Sequence, residues 1–132
     1  MKILIDTNVL ISTSLFPDSI SSKAYFKAVN NNEVIICDYQ IDEMKTVFQR
    51  KFPDKINSLC RFIETTTDSM QIVKVPKGKS KYYIRDSKDE PILRTALEYK
   101  VDLIITGDKD FASIDMKKPK VVTPSEFINN NY

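Results

Sequence analysis

Short apolar runs alternate with longer amphipathic segments along most of the chain. The runs are rich in isoleucine and valine, which is typical of buried strands, and they are Ile3–Ile5, Val34–Cys37, Ile72–Val75, Leu103–Thr106 and Val121–Val122. Apolar residues at helical spacing fill most of the intervening segments, namely Ser19–Asn30, Tyr39–Lys51, Pro53–Thr66, Asp89–Lys100 and Pro124–Asn129. This alternation predicts a three-layer α/β/α fold with a central parallel sheet of four or five strands.

Two predicted helix starts carry capping residues. Thr123 and Glu126 have the spacing of a capping box, with Pro124 at the first helical position. Asp38 is placed to cap the helix that follows the second strand. These features predict where helices begin and require no function.

Length and composition predict a single domain. The chain has 132 residues, of which we assign 1–128 to this domain and the asparagine-rich residues 129–132 to a short polar tail. No segment reaches the roughly 20 apolar residues of a membrane helix, so we expect no membrane partner. Cys37 and Cys60 lie in patterns that suit reduced core thiols, which indicates a cytoplasmic protein.

The sequence contains no histidine, and this absence excludes several kinds of catalytic site. Nucleophiles activated by histidine, histidine zinc sites and paired-histidine ribonuclease sites all require this residue. A hydrolase of this composition would depend on carboxylates and a hard metal ion. The net charge of +2 is too small to indicate a nucleic-acid partner by itself, so the positions of the charges have to decide.

Two aspartates directly follow predicted strands. Asp6 follows the first strand, where a carboxylate loses hydration and needs hydrogen bonds, an opposite charge or a metal ion. Capping of a helix that begins near Asn8 would be a sufficient explanation for Asp6 alone. Asp108 follows the fourth strand, and ligands of open α/β sheets bind at such strand ends, where the strand order reverses. Both acids are therefore candidates for one site.

Two further acids come from helices that flank the same predicted edge. Glu43 lies beside the apolar stripe of its helix, although the helix dipole would also favour an exposed glutamate near the start. Asp86 and Asp89 both precede the helix that leads into the fourth strand, and either can point to the edge. Here too capping is an alternative, because Ser87 and Glu90 have the spacing of a capping box.

Each acid has a structural explanation, but four of them at one sheet edge are harder to explain separately. Carboxylates packed this closely raise one another's pKa and destabilise an empty site, whereas Mg²⁺ or Mn²⁺ removes the repulsion. The cluster therefore predicts a divalent metal ion.

Four stretches together resemble the PIN-domain nucleases, and among them the small prokaryotic toxin-like members related to VapC-type toxins. They are ILIDTNVLIS, QIDEMKTVFQRKF, DSKDEPILRTALEYKVDLIITGDKDF and the closing VVTPSEF. The resemblance runs from Met1 to about Ile128. It implies a PIN-like fold and an endoribonuclease that uses Mg²⁺ or Mn²⁺ and is the toxin of a toxin–antitoxin pair. It also implies an RNA substrate, an antitoxin protein as partner, and a homodimer.

The same resemblance implies roles for individual residues. Four acids match the catalytic and metal-binding positions of the family: Asp6, Glu43, Asp89 and Asp108. Asp89 is favoured over Asp86 because it stands seven residues before Ala96, as in the family pattern. Supporting roles fall to Asn8, Thr106, Asp86 and Asp110, of which Asn8 and Thr106 match residues that orient the first acid and a water molecule.

A basic stretch precedes the fourth candidate acid. Residues 69–85 contain no acidic side chain, and lysines in such a loop can meet RNA phosphates. We assign RNA contacts to Lys77, Lys79, Lys81, Arg85 and Lys109. Tyr82 and Tyr83 can stack on unpaired bases, but packing into the core is the favoured alternative for both.

Two other functions are compatible with parts of the pattern. A phosphatase of the haloacid-dehalogenase type also begins with a strand-end aspartate, but it needs a second aspartate two residues later, where this chain has Asn8. A non-catalytic PIN-like RNA-binding module would keep the fold without cutting RNA. Metal binding without cleavage of any RNA would favour that module.

Overall fold

The computed structural model describes residues 1–130 and residue 132. The predicted polar tail, 129–132, includes Asn131, which lies outside the described residues. The strands are β1 (Lys2–Ile5), β2 (Glu33–Cys37), β3 (Gln71–Val73), β4 (Leu103–Ile105) and β5 (Lys120–Val122). The helices are α1 (Thr7–Leu15), α2 (Ile20–Asn31), α3 (Asp38–Lys51), α4 (Ile56–Thr66), α5 (Glu90–Glu98), α6 (Lys109–Ala112) and α7 (Pro124–Asn129), with a 3-10 turn at Pro53–Lys55 before α4.

The five strands form one parallel sheet in the order β3-β2-β1-β4-β5. This confirms the predicted architecture of a central parallel sheet between helical layers. The chain leaves β1 toward β2 and β3 on one side and later returns to β4 and β5 on the other, so the order reverses between β1 and β4. The register pairs Ile5 with Ile105, which brings the two strand ends level. A crevice at this reversal is where such sheets bind ligands.

Alternate residues of the strands face two different helical layers. Ile3 and Ile5 join buried residues of α1, α2, α3, α4 and α7, whereas Leu4 joins buried residues of α5 and α6. Because side chains alternate along a strand, Asp6 and Thr106 continue the row of Leu4 and point toward the layer that contains α5. The sheet thus aims both residues at the start of that helix.

The observed helix starts confirm one capping prediction and correct another. Thr123 and Glu126 form the predicted reciprocal capping box at α7. The prediction for Asp38 is wrong, because α3 begins one residue earlier than expected and Cys37 occupies the cap position. Asp38 is then the first helical residue, and its carboxylate accepts hydrogen bonds from the backbone N–H groups of Tyr39, at 2.9 Å, and Val75, at 3.3 Å.

Three other local predictions also differ from the structure. The set of predicted helices omitted α6, which is only 4 residues long, and gave only the start of α1, near Asn8, because the adjacent buried residues Val9, Leu10 and Ile11 hide the helical period. Cys37 is buried as predicted, but Cys60 is exposed on α4, and both thiols are free. Tyr82 packs against the core as favoured, whereas Tyr83 is 82% exposed. Within the described residues, no helix combines the length and apolar character needed to cross a membrane.

Candidate metal centre

Asp6 is buried at the reversal of the strand order, and both of its carboxylate oxygens have hydrogen-bond donors. Oδ1 accepts from the backbone N–H of Thr7 at 2.8 Å, since Asp6 is the cap residue of α1. Oδ2 accepts from the hydroxyl of Thr106 at 2.7 Å. Helix capping and a place in the candidate site are therefore compatible explanations for Asp6, because Oδ1 caps α1 while Oδ2 binds Thr106 at the end of β4.

The Thr106 hydroxyl connects the ends of β1 and β4. While it donates to Asp6, its oxygen accepts from the backbone N–H of Asp108 at 2.9 Å. Asp108 in turn caps the short helix α6 and accepts from the backbone N–H of Asp110 at 2.8 Å. A single buried hydroxyl thus fixes the positions of two acids that are 102 residues apart in the sequence.

Three carboxylates form a compact group beside this link. Asp89, Asp108 and Asp110 each offer one oxygen, and these oxygens lie within 4.8 Å of one another. The group contains two of the four acids that the resemblance implied, together with Asp110, to which only a supporting role was assigned. Within the part of the chain that the structure describes, Asp6 and Glu43 do not belong to this compact group.

Asp89 occupies the cap position of α5 without using its side chain to cap the helix. Its Oδ2 atom is buried and has no hydrogen-bond partner among the described residues. Asp86 is exposed, and its carboxylate accepts from the backbone N–H of Lys88 at 3.0 Å. The alternative capping box does not form, because Glu90 binds the backbone N–H of Ser80 at 2.8 Å instead. The structure therefore places Asp89 at the acid group and Asp86 at its edge.

Glu43 lies on α3, and its charge acts on Asp6. The side chain is partly buried, and its Oε1 atom has no hydrogen-bond partner among the described residues. The buried Thr7 hydroxyl faces it outside ordinary hydrogen-bond geometry. Glu43 is thus neither an exposed first-turn glutamate nor a member of the compact group.

The carboxylates are costly to keep charged without a counter-ion. Burial raises the pKa of Asp6 to about 6, against the lowering effect of its bonds from Thr106 and Thr7. Burial, followed by the shared hydrogen bond with Asp108 and the charges of Asp6 and Asp108, raises the pKa of Asp89 to about 8. Burial also raises the pKa of Glu43. Raised carboxylate pKa values of this kind are typical of functional sites.

A hard divalent cation fits the donors that are present. Three carboxylate oxygens converge, one of them from a side chain whose second oxygen is buried and unpaired. Mg²⁺ and Mn²⁺ prefer oxygen ligands and often take only a few of them from protein, completing their coordination with water and phosphate oxygens. The arrangement suits such an ion better than an isolated cluster of negative charges.

The remaining predicted residues lie at different distances from the acids. Arg85 binds Asp110 with two hydrogen bonds, of 3.0 and 3.1 Å, although its side chain is 79% exposed. Lys109 is exposed and directly follows Asp108 at the start of α6. Asn8 is exposed and makes no side-chain hydrogen bond to the described residues, unlike Thr106.

The three loop lysines lie along the flank of α5. Lys77, Lys79 and Lys81 line a cavity of about 230 Å³ together with Arg94, Leu97 and Glu98 of that helix. Leu97 follows Asp89 by eight residues, which corresponds to about 12 Å along a helix. The structure therefore separates these lysines from the acid group.

Two positioning residues were missed by the sequence analysis. Gln40 is buried, donates from Nε2 to the carbonyl of Ile5 at 2.7 Å, and accepts from the backbone N–H of Cys37 at 3.0 Å. It thereby holds α3 against the ends of β1 and β2. Thr7 is the other, since its backbone N–H donates to Asp6 at 2.8 Å. Neither residue carries a sequence signal beyond its place at a helix start.

Comparison with known proteins places the chain in a family. A PIN-domain family profile matches residues 2–110, which include every acid of the candidate centre. The chain belongs to the PIN-domain family. This PIN domain is also similar to a chain in the crystal structure of VapBC2 from Rickettsia felis bound to a DNA fragment from their promoter. The match has a TM-score of 0.70 and 12% identity, and it covers 93% of this chain and 98% of that one. At this identity the likeness shows the fold alone. A comparison of this chain with curated proteins found no match.

Proposed function

We propose that this PIN domain is a metal-dependent endoribonuclease. The observation that carries the proposal is the convergence of Asp89, Asp108 and Asp110 beside Asp6, at the point where the strand order reverses. Membership in the PIN-domain family supports a nuclease that acts on phosphodiester bonds. The absence of histidine is consistent with chemistry that depends on carboxylates and a metal ion.

We assign the acids of the centre different roles according to their positions. In this proposal Asp89, Asp108 and Asp110 would hold the ion directly. Asp6 and Glu43 would act on it directly or through water. A bound Mg²⁺ or Mn²⁺ supplies positive charge for the scissile phosphate and makes a nearby water molecule more acidic. An acid that does not bind the ion directly accepts the proton of that water. Thr106 keeps Asp6 and Asp108 at a fixed separation.

The physiological role follows from the resemblance to toxin-like members of the family. We propose that the protein acts in the cytoplasm as the toxin of a toxin–antitoxin pair, and that it is a homodimer. The similar fold of a chain in the VapBC2 structure supports this role. The proposed substrate is RNA, and the proposed regulator is an antitoxin protein.

The test is cleavage of single-stranded RNA by purified protein in Mg²⁺ or Mn²⁺. Asp6→Asn and Asp108→Asn should each lower the cleavage rate by about 100-fold or more, because each removes a carboxylate that would hold the ion or accept the proton of the attacking water. Asp115→Asn is the matched control, since it removes one charge from an exposed aspartate outside the centre and should leave the rate unchanged.

Full activity in both centre variants, or in excess EDTA, would refute this mechanism. Binding of Mn²⁺ without cleavage of any RNA would instead support the non-catalytic RNA-binding module.

A further inference from the structure

A crevice opens along α3, next to the candidate metal centre. Its volume is about 270 Å³, and we call it the α3 crevice. Four of its lining residues follow one another at about one helical turn on α3: Tyr39, Glu43, Thr46 and Arg50. The lining is completed by Asp42, Val47 and Lys88. The crevice is a lengthwise groove and not a pit at the helix end.

The α3 crevice begins where the acid group ends. Glu43 connects the two, because it lines the crevice and its charge acts on Asp6 beside the acid group. Tyr39 also lies near both, since the charges of Glu43 and Asp89 add to the effect of burial in raising the pKa of Tyr39 to about 12. A ligand in the crevice would therefore lie directly beside the carboxylates.

Two cations line the α3 crevice. Arg50 is exposed in the last turn of α3, and Lys88 is exposed in the loop before Asp89. Within the described residues, neither side chain forms an ion pair with a carboxylate. The seven residues from Glu43 to Arg50 correspond to about 10 Å of helix, so Arg50 lies well away from the acids. Lys88 directly precedes Asp89, and its charge counteracts the rise that burial causes in the pKa of Glu43, so it lies beside them.

These surfaces match the chemistry of a single RNA strand. Arginine and lysine neutralise backbone phosphates, and an aromatic ring provides a stacking face that accepts any base. Tyr39 supplies the ring, Lys88 supplies a positive charge beside the acids, and Arg50 supplies one at the end away from them. A volume of about 270 Å³ is small for a drug-sized ligand and suits a short stretch of strand.

We propose that the α3 crevice binds the RNA segment next to the scissile phosphate, with Tyr39 against a base and with Arg50 and Lys88 on phosphates. This proposal rests on the proposed function, because it extends the substrate path away from the metal centre. It adds a surface separate from the flank of α5, where the lysines predicted from the sequence lie.

The first test is charge reversal in and outside the α3 crevice. Arg50→Glu with Lys88→Glu should weaken binding of a labelled single-stranded RNA by about tenfold or more, measured by fluorescence anisotropy in EDTA. The slope of log affinity against log salt should become shallower by about 1.4, since each lost phosphate contact contributes about 0.7.

The matched control is Lys23→Glu with Lys45→Glu, which changes the total charge equally. Both lysines are exposed, and Lys45 lies on the opposite face of α3 from Glu43. The control should bind RNA within about twofold of the wild type. Equal losses in the two double variants, or no loss in the crevice variant, would overturn the proposal.

The second test concerns the stacking residue. Tyr39→Ala should weaken RNA binding by about 5- to 100-fold, whereas Tyr39→Phe keeps the ring and should bind normally. Because Tyr39 also packs against the core, the wild-type protein provides an independent measurement. RNA that carries 5-iodouridine should form its photo-cross-link at Tyr39, and cross-links confined to other parts of the protein would exclude the crevice.

The binding and cleavage assays separate this proposal from the proposed function. If the protein binds RNA in the α3 crevice but cuts no RNA, the proposed nuclease function is refuted and the proposed binding site is supported. If the protein cuts RNA but the crevice variant binds RNA normally, the nuclease function is supported and the proposed binding site is refuted.

Discussion

Aspartates near the two ends of β4 lie in opposite electrostatic environments. At the amino end, Asp102 accepts a hydrogen bond from the backbone N–H of Lys2 at 2.8 Å and pairs with Lys118 at 3.0 Å. These contacts hold the pKa of Asp102 below its usual value. At the carboxyl end, Asp89 and Asp108 face each other, and the buried Oδ2 of Asp89 has no partner among the described residues.

The difference distinguishes a structural acid from a candidate functional one. Asp102 connects the starts of β1 and β4 and is stabilised by the contacts that it makes. The acids at the carboxyl end are placed where the folded protein alone cannot compensate their charge. Such stored destabilisation is characteristic of sites that await a ligand, because stability is lost there in exchange for function.

Among the variants that test this comparison, the largest effect is expected from breaking the link between the strand ends. Thr106→Val removes the hydroxyl that holds Asp6 and Asp108 while keeping the shape of the side chain. Residues that orient metal ligands commonly contribute about 10- to 100-fold to affinity or activity, so we expect a loss in that range. Mn²⁺ titration and RNA cleavage rates measure it.

Thr13→Val is the control for this change. Thr13 is also buried, but its hydroxyl donates to the carbonyl of Val9 within α1. This variant should lose only about 1 kcal/mol of stability and keep its activity. Similar losses of Mn²⁺ affinity in both variants would mean that Thr106 has no special role.

A smaller effect is expected on the pH dependence of stability without metal. Because folding raises the pKa of Asp89 from 3.8 to about 8, its favourable contribution is complete below pH 3.8 and is lost as the pH rises toward 8. Asp89→Asn should therefore stabilise the metal-free protein at pH 8 by about 1 kcal/mol, or roughly 3–5 °C in melting temperature. Thermal unfolding in EDTA measures the change.

Asp102→Asn should do the reverse. Since folding lowers the pKa of Asp102, its contribution is present above its usual pKa and is lost only as the pH falls through the lowered value. This variant should melt below the wild type at pH 8.

Saturating Mn²⁺ should stabilise the wild type, by about 2.7 kcal/mol at 100 times the dissociation constant, but should stabilise Asp89→Asn much less. A lower melting temperature for Asp89→Asn in EDTA would contradict the comparison.

The smallest expected effect concerns Arg85, which occupies both oxygens of Asp110. Arg85→Gln frees that carboxylate, so Mn²⁺ affinity should rise by about two- to fivefold, in line with the modest strength of exposed ion pairs. Lys117→Gln removes a positive charge at another exposed position and should leave the affinity unchanged. Unchanged or weaker Mn²⁺ binding by Arg85→Gln would exclude Asp110 as a ligand.

Much of the architecture was predictable because it depends on local patterns. Short β-branched runs separated by amphipathic helices allow few arrangements other than a parallel sheet, and the strand-end aspartates mark its carboxyl edge. The local prediction failed where one pattern fitted two states. In α1, three adjacent buried residues conceal the helical period, so that only its start near Asn8 was predicted. At α3 a shift of one residue moved the cap from Asp38 to Cys37.

The sequence by itself determined the fold class, the family resemblance and the set of acids from which the candidate centre is drawn. Only the tertiary structure decided which acids converge, because the strand order and the start of α5 bring Asp110 to Asp89 and leave Asp86 exposed. It also decided that Arg85 faces Asp110 and that Tyr39 lies beside Glu43. Side-chain type is fixed by the chain, but distance and burial, which set charge energies, arise only when remote segments pack together.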